Sequence, residues 1–245
     1  MNVEFKIFGT PDGFDLYQGN EEEIEYFQAF DDNSTENTKL IVHRMPNGQV
    51  SYSYLKYGLI SSENRAGAFF GMSILFKDEY CKEIRTMYEL FGRFYHQILV
   101  ENILIEISEN SNSQAKFLIH RFEEQEKKVK NIRNDILVEI KKIVIHPLDS
   151  SFKQNKTDEL TDKININKDN DVILKALQNH SRVAISSEYS ENNFLEKREV
   201  TNEEKENQKK QPKPLTPTGR ILWFGCAAVV VIIFICLFIW ILCKE

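Results

Sequence analysis

The chain has 245 residues, a formal net charge of −6 and a mean hydropathy of −0.40. Its lysines and arginines are interspersed among the acids and form no basic stripe, which argues against a general nucleic-acid binder. Cys81 is the only cysteine before residue 220, and a lone thiol cannot form an internal disulfide, so we expect a reducing compartment for this part of the chain.

The N-terminal quarter predicts a strand, a short helix and a hairpin. Apolar and charged residues alternate within 2–9, which is the pattern of a half-buried strand. Asn20 precedes three glutamates, and this order suits a helix N-terminus. An Asn-Gly pair at 47–48 supplies the positive φ angles of a tight turn, so we expect strands at 39–44 and 49–60 to form a hairpin.

The middle of the chain predicts one more hydrophobic strand, two longer helices and a strand between them. Residues 68–76 are almost continuously apolar, as in a strand buried on both faces. A 3.6-residue apolar period predicts a central helix that begins at Asp78, and 115–122 predicts a strand. A charged helix with one apolar face should follow, from 123 to about 145.

This order of elements, β-α-β-β-β-α-β-α, predicts an α+β fold. We expect a single small antiparallel-sheet domain with two longer helices over residues 1–146. Residues 147–187 are expected to be a partly ordered extension that contains one short helix and a strand docking back on the domain. Residues 188–220 contain few apolar side chains and end in a proline-rich stretch, so they predict a flexible polar tether.

Residues 221–243 predict one C-terminal transmembrane helix. The stretch begins at Ile221, ends at Cys243 and contains no charged residue. As a helix it would be about 34 Å long, slightly more than the roughly 30 Å of a hydrocarbon core. Trp223 and Trp240 would lie about 25 Å apart along its axis, where an aromatic belt places such residues. These four residues are therefore predicted to contact the bilayer.

The flanking charges predict the orientation of this anchor. The basic residues that precede it are Lys209, Lys210, Lys213 and Arg220, whereas Lys244 alone follows it. By the positive-inside tendency, the N-terminal domain should lie in the cytosol and the C-terminus across the membrane, in a single-pass, tail-anchored layout. The absence of a signal-peptide core near Met1 agrees with this orientation. Small residues at Gly225, Ala227 and Ala228 would allow self-association of the anchors.

Catalytic and metal-binding signatures are absent from the sequence. There is no P-loop, dinucleotide fingerprint, H-E-x-x-H, paired C-x-x-C or G-x-S-x-G motif. The histidines are scattered without an i, i+4 pair that would clamp a metal. We therefore predict no metal site and no cofactor, and we lean against an enzyme while leaving that question open.

An internal echo supplies one set of candidate ligand-binding residues. Residues 39–45 and 116–122 both contain a lysine, three apolar residues and a His-Arg pair. If the two segments were neighbouring strands in register, His43 and His120 would share one face and Arg44 and Arg121 the other. Such a surface would suit a phosphate or a carboxylate. The alternative is that these are ordinary polar strand ends.

The second candidate is the polar loop 61–67. Asn64 and Arg65, together with backbone N–H groups beside a glycine, would suit an anion, because ligand contacts concentrate in short loops on a rigid sheet. The alternative is a solvated turn. Asp12 and Asp15 are a further candidate pair of acid and base, although Pro-Asp-Gly is typical of a turn.

The layout of a small cytosolic α+β domain, a tether and a terminal anchor is similar to that of longin-type vesicle fusion proteins. Those proteins carry a long heptad-repeat helix directly before the anchor. Here residues 188–218 contain prolines and no sustained heptads. The likeness is therefore one of layout, and no activity is carried over from it.

Three functions remain open from the sequence. The first is a membrane-tethered binding or sensor module whose partners are the lipid bilayer and another protein. The second is a membrane-perturbing effector that oligomerises through its anchor. The third is a small membrane-bound enzyme that uses Arg44, Arg65 or His120 on an anionic substrate.

Overall fold

A computed structural model describes residues 3–31, 36–107, 114–148 and 161–189. The strands are β1 (Val3–Gly9), β2 (Asp15–Leu16), β3 (Thr38–Arg44), β4 (Gln49–Ile60), β5 (Ala66–Lys77), β6 (Glu79–Cys81), β7 (Ile105–Ile107), β8 (Ala115–Phe117), β9 (Ile145–Pro147), β10 (Thr161–Asn165) and β11 (Arg182–Ser186). The helices are α1 (Glu21–Gln28), α2 (Ile84–Val100), α3 (Glu126–Ile140) and α4 (Asn170–Asn179), and a 3₁₀ turn (Phe122–Gln125) precedes α3.

The chain has a mixed α+β fold with a large sheet and four helices in the described residues. Nine strands form the sheet, whose main path is β10-β11-β3-β4-β5-β1-β2. β8 joins it beside the end of β4, where Ile60 pairs with Lys116, and β7 pairs with β8. Most pairings are antiparallel, as predicted, but β10–β11 and β4–β8 are parallel.

Alternation along the strands divides the core between the two faces of the sheet. On one face, Tyr52, Met72 and other strand residues pack with apolar residues of α2, α3 and α4. On the other face, Phe8 and Leu55 pack with Phe27 of α1. Because both faces are covered, the central part of β5 reads as an almost continuous apolar run in the sequence.

The short helix and the hairpin confirm two local predictions. The Asn20 side chain accepts a hydrogen bond from the backbone N–H of Glu23 at 2.9 Å, and the Glu23 carboxylate accepts one from the Asn20 N–H at 3.0 Å, which completes a capping box. In the hairpin, Gly48 has a φ of 80° and its N–H donates to the Met45 carbonyl. Of the predicted Asn-Gly pair, only the glycine has a positive φ.

The two longer helices are shorter than predicted, and one structural cause explains both differences. The helix expected from Asp78 begins at Ile84, and the helix expected to reach about residue 145 ends at Ile140. β6 lies before α2 and β9 lies after α3, and these two strands pair with each other in a separate two-stranded sheet. β6 therefore replaces the first turn of the helix predicted from Asp78, and the chain turns at 141–144 to enter β9.

The predicted strand 115–122 is also shorter. Only Ala115–Phe117 is a strand, and Phe122 already begins the 3₁₀ turn. The Glu124 carboxylate accepts hydrogen bonds from the backbone N–H groups of His120 and Arg121 at 3.2 Å each, which stabilises the chain as it turns into α3.

The segment after β9 adds two strands and a helix to this fold. The helix and strand expected at 171–187 are confirmed as α4 and β11, whereas β10 was not predicted. β11 pairs antiparallel with β3. The Glu188 carboxylate then accepts hydrogen bonds from the backbone N–H groups of Asn37 and Thr38 at 3.0 Å each, which fastens the chain after β11 to the start of β3.

Among the residues that the structure describes, no helix has the length and apolar character needed to cross a membrane. The predicted anchor at 221–243 and residues 190–220 of the predicted tether lie outside the described residues.

Candidate functional site

Five polar residues from three connecting segments meet at one end of the large sheet. We call them the charged corner: Asp12, Ser62, Glu63, Arg65 and His120. Asp12 lies in the turn after β1, residues 62–65 lie in the loop from β4 to β5, and His120 follows β8. The pairing of β8 with Ile60 and the hydrogen bond from the Ser62 N–H to the Pro11 carbonyl, at 2.9 Å, bring these segments together.

The loop from β4 to β5 owes its shape to local hydrogen bonds. The Ser61 N–H donates to the Arg65 carbonyl at 2.8 Å, and the Ser61 hydroxyl accepts from the Arg65 N–H at 3.0 Å. Asn64 occupies the left-handed region with a φ of 61°, which asparagine tolerates better than most residues. Asn64 therefore shapes the turn that holds Arg65.

His120 lies at the centre of the charged corner. Its Nδ1 atom is 3.0 Å from the Ser62 hydroxyl, 3.5 Å from a Glu63 carboxylate oxygen and 3.6 Å from an Asp12 carboxylate oxygen. The Arg65 guanidinium forms an ion pair with the same Asp12 carboxylate. The His120 Nδ1 atom therefore lies within reach of one hydroxyl and two carboxylates.

The charged corner is open to solvent. The side chains of His120 and Glu63 are 53% and 54% exposed, and that of Arg65 is 64% exposed. Ion pairs with this exposure contribute about 0–1 kcal/mol to folding and are screened by salt. The corner therefore adds little to stability, and its charges face outward where a partner can reach them.

The corner also contains three residue types that bind metals. The ligand atoms of Asp12, Glu63 and His120 lie within 4.8 Å of one another. Arg65 pairs with one oxygen of the Asp12 carboxylate, and the other oxygen of that carboxylate faces His120. All three side chains are exposed, and exposed acidic groups commonly occur together without a bound ion. The sequence pattern did not indicate that His120 would lie beside two carboxylates.

The predicted cation surface of the two His-Arg segments is not formed, which corrects the register proposed from the echo. The neighbours of β3 are β4 and β11, and His43 lies opposite Ser51 on one side and Arg182 on the other. His120 and Arg121 follow the short strand β8, beside the end of β4. The echo therefore does not bring the two histidines, or the two arginines, to a shared surface.

His43 and Arg44 have separate surroundings on opposite faces of β3. The His43 Nδ1 atom and the Ser51 hydroxyl each lie 3.0 Å from the Tyr26 hydroxyl. Burial raises the pKa of Tyr26 to about 12, so this hydroxyl stays neutral and hydrogen-bonded near neutral pH. Arg44 is 7% exposed and donates to the His180 carbonyl at 3.0 Å, and burial lowers the pKa of its guanidinium.

Asp12 and Asp15 do not act as a pair. Asp12 contacts Arg65 in the charged corner, whereas the Asp15 carboxylate accepts a hydrogen bond of 2.7 Å from the backbone N–H of Phe122. Asp15 thus fixes the start of the 3₁₀ turn, and the interpretation of 11–13 as a turn agrees with the positive φ of Gly13.

Of the residues predicted to bind ligands, the structure brings Arg65 and His120 together and separates both from His43 and Arg44. Sequence reasoning missed Glu63 and Ser62 as neighbours of His120, and Arg182 as the residue opposite His43 on the adjacent strand. No local pattern marks these contacts, since each depends on pairing between distant strands.

Elsewhere, shallow cavities lie beside the helices. Two of about 300 and 280 Å³ share Phe94, Gln97 and Asp135 between α2 and α3. Charged and polar side chains make up at least half of their lining, whereas small-molecule pockets are lined mostly by apolar side chains.

Comparisons with known proteins assign no family to this chain. No family model matches it, and no significant match was found among curated proteins or solved structures.

Proposed function

We propose that this chain is a membrane-tethered binding module. In this proposal, one transmembrane helix at 221–243 holds the α+β domain at the cytosolic face of a membrane, and the domain binds a partner protein on or near that surface. The observation that carries the proposal is the anchor sequence, which contains no charged residue between Ile221 and Cys243.

The surface of the domain supports binding to a protein. The charged corner combines acids and bases that are exposed and linked to one another across three segments. Mixed charges of this kind favour a complementary protein surface, because electrostatic complementarity gives specificity and speeds association. A strongly anionic lipid surface would instead repel Asp12 and Glu63.

The order of parts in the chain supports the same proposal. An α+β domain, a polar segment and a terminal anchor occur in the same order in longin-type vesicle fusion proteins, to which the layout is similar. The polar segment here lacks sustained heptads. The likeness therefore supports a domain that binds its partner beside a membrane, and the proposal includes no fusion activity.

An extraction experiment tests the proposal. Full-length protein and a form that ends after residue 220 are made in cells, and the membranes are washed at alkaline pH. We expect the full-length protein to stay with the membranes and the shortened form to be released, because only the former contains the apolar stretch. Release of both forms would overturn the proposal.

A second measurement separates binding from catalysis. The partner should be recruited to membranes by the full-length protein and not by the shortened form, while both keep the same folded domain. Turnover of a substrate by the purified shortened form would instead favour a membrane-bound enzyme.

A further inference from the structure

We draw no further inference here: the strongest candidate, the edge of β1 from Val3 to Lys6 beside a cavity of about 190 Å³ that α3 helps to line, carries nothing because no described residue shows which chain would cover it.

Discussion

Tyr52 shows how one buried hydroxyl can connect two parts of this fold. Its side chain is 0% exposed, and its hydroxyl donates to the Cys81 carbonyl at 2.8 Å and accepts from the Cys81 N–H at 2.9 Å. Cys81 is the last residue of β6, just before α2 begins. The tyrosine therefore satisfies both polar groups of a backbone position at which a strand changes into a helix.

Replacing Tyr52 with phenylalanine should destabilise the domain by about 1–3 kcal/mol, because the N–H and the carbonyl of Cys81 would remain buried without a partner. Tyr95→Phe is the matched control. Tyr95 is also buried, and among the described residues its hydroxyl has no hydrogen-bond partner. Urea unfolding of the purified chain in detergent, followed by circular dichroism, measures the difference. Equal losses in both variants would contradict this role of Tyr52.

Tyr95 itself predicts how stability depends on pH. Burial raises the pKa of Tyr95 from 10.0 to about 12. The unfolded chain therefore loses this proton at lower pH than the folded chain does. The contribution should be complete below pH 10 and should be lost as the pH rises from about 10 to 12, by an amount on the order of 1–3 kcal/mol.

Unfolding measured across this range should show a steep loss of stability in the original chain and a smaller loss in Tyr95→Phe. If the two proteins lost stability in parallel, the pKa of Tyr95 would not be raised in the folded state.

At the scale of elements, pairing between distant segments decides where helices and strands end. The apolar period alone predicts that α2 begins earlier and that α3 ends later than the structure shows. The pairing of β6 with β9 gives these residues hydrogen bonds to another strand instead. In the same way, β11 occupies the edge of β3, and Glu188 fastens the residues that follow it. Secondary structure preferences are weak enough for such tertiary contacts to override them.

The charged corner is a meeting point of three connecting segments, and its role can be tested separately from folding. Replacing both Arg65 and His120 with alanine should change the free energy of unfolding by less than about 1 kcal/mol, because their ion pairs are exposed. The same change should weaken recruitment of the partner to membranes. Urea unfolding and membrane recruitment, measured on the same preparations, give the two results.

Lys127→Ala with Lys128→Ala is the matched control, since both lysines are exposed residues of α3 outside the corner. It should leave stability and recruitment unchanged. If the Arg65 and His120 variant lost as much stability as Tyr52→Phe, the charged corner would stabilise the fold, and the prediction would be wrong.

At the scale of the whole molecule, the proposal separates the domain from the apolar stretch near the C-terminus. The domain buries apolar side chains on both faces of its sheet, so its own hydrophobic residues are used in folding. The apolar residues from Ile221 to Cys243 form a separate stretch of the sequence. The proposed membrane attachment therefore depends on this stretch, and the proposed partner binding depends on the domain.

Two arginines placed in the middle of the stretch, as Val230→Arg with Phe234→Arg, should release the chain from membranes. Each charge near the centre of a membrane helix costs about 2.5–3.5 kcal/mol on insertion scales. Asn207→Arg with Gln208→Arg adds the same charge to the predicted tether and should leave the chain membrane-bound. The measurement is the fraction that sediments with membranes after an alkaline wash. Similar retention of both variants would contradict insertion of 221–243.

Sequence alone determined the features that depend on neighbouring residues. The strand at Val3–Gly9, the helix cap at Asn20 and the turn at Gly48 were predictable, because each depends on local periodicity or on the backbone preference of one residue. The α+β class followed from the order of such elements. The prediction of a membrane anchor is of the same kind, since it requires only an uninterrupted apolar stretch.

Tertiary structure alone decided which segments are neighbours. It placed β11 beside β3, paired β6 with β9, and brought Asp12, Arg65 and His120 into one corner. These contacts join residues far apart in the chain, and many alternative pairings satisfy the same local pattern. The choice among them depends on how all the apolar faces are buried together, and no single segment of the sequence contains that information.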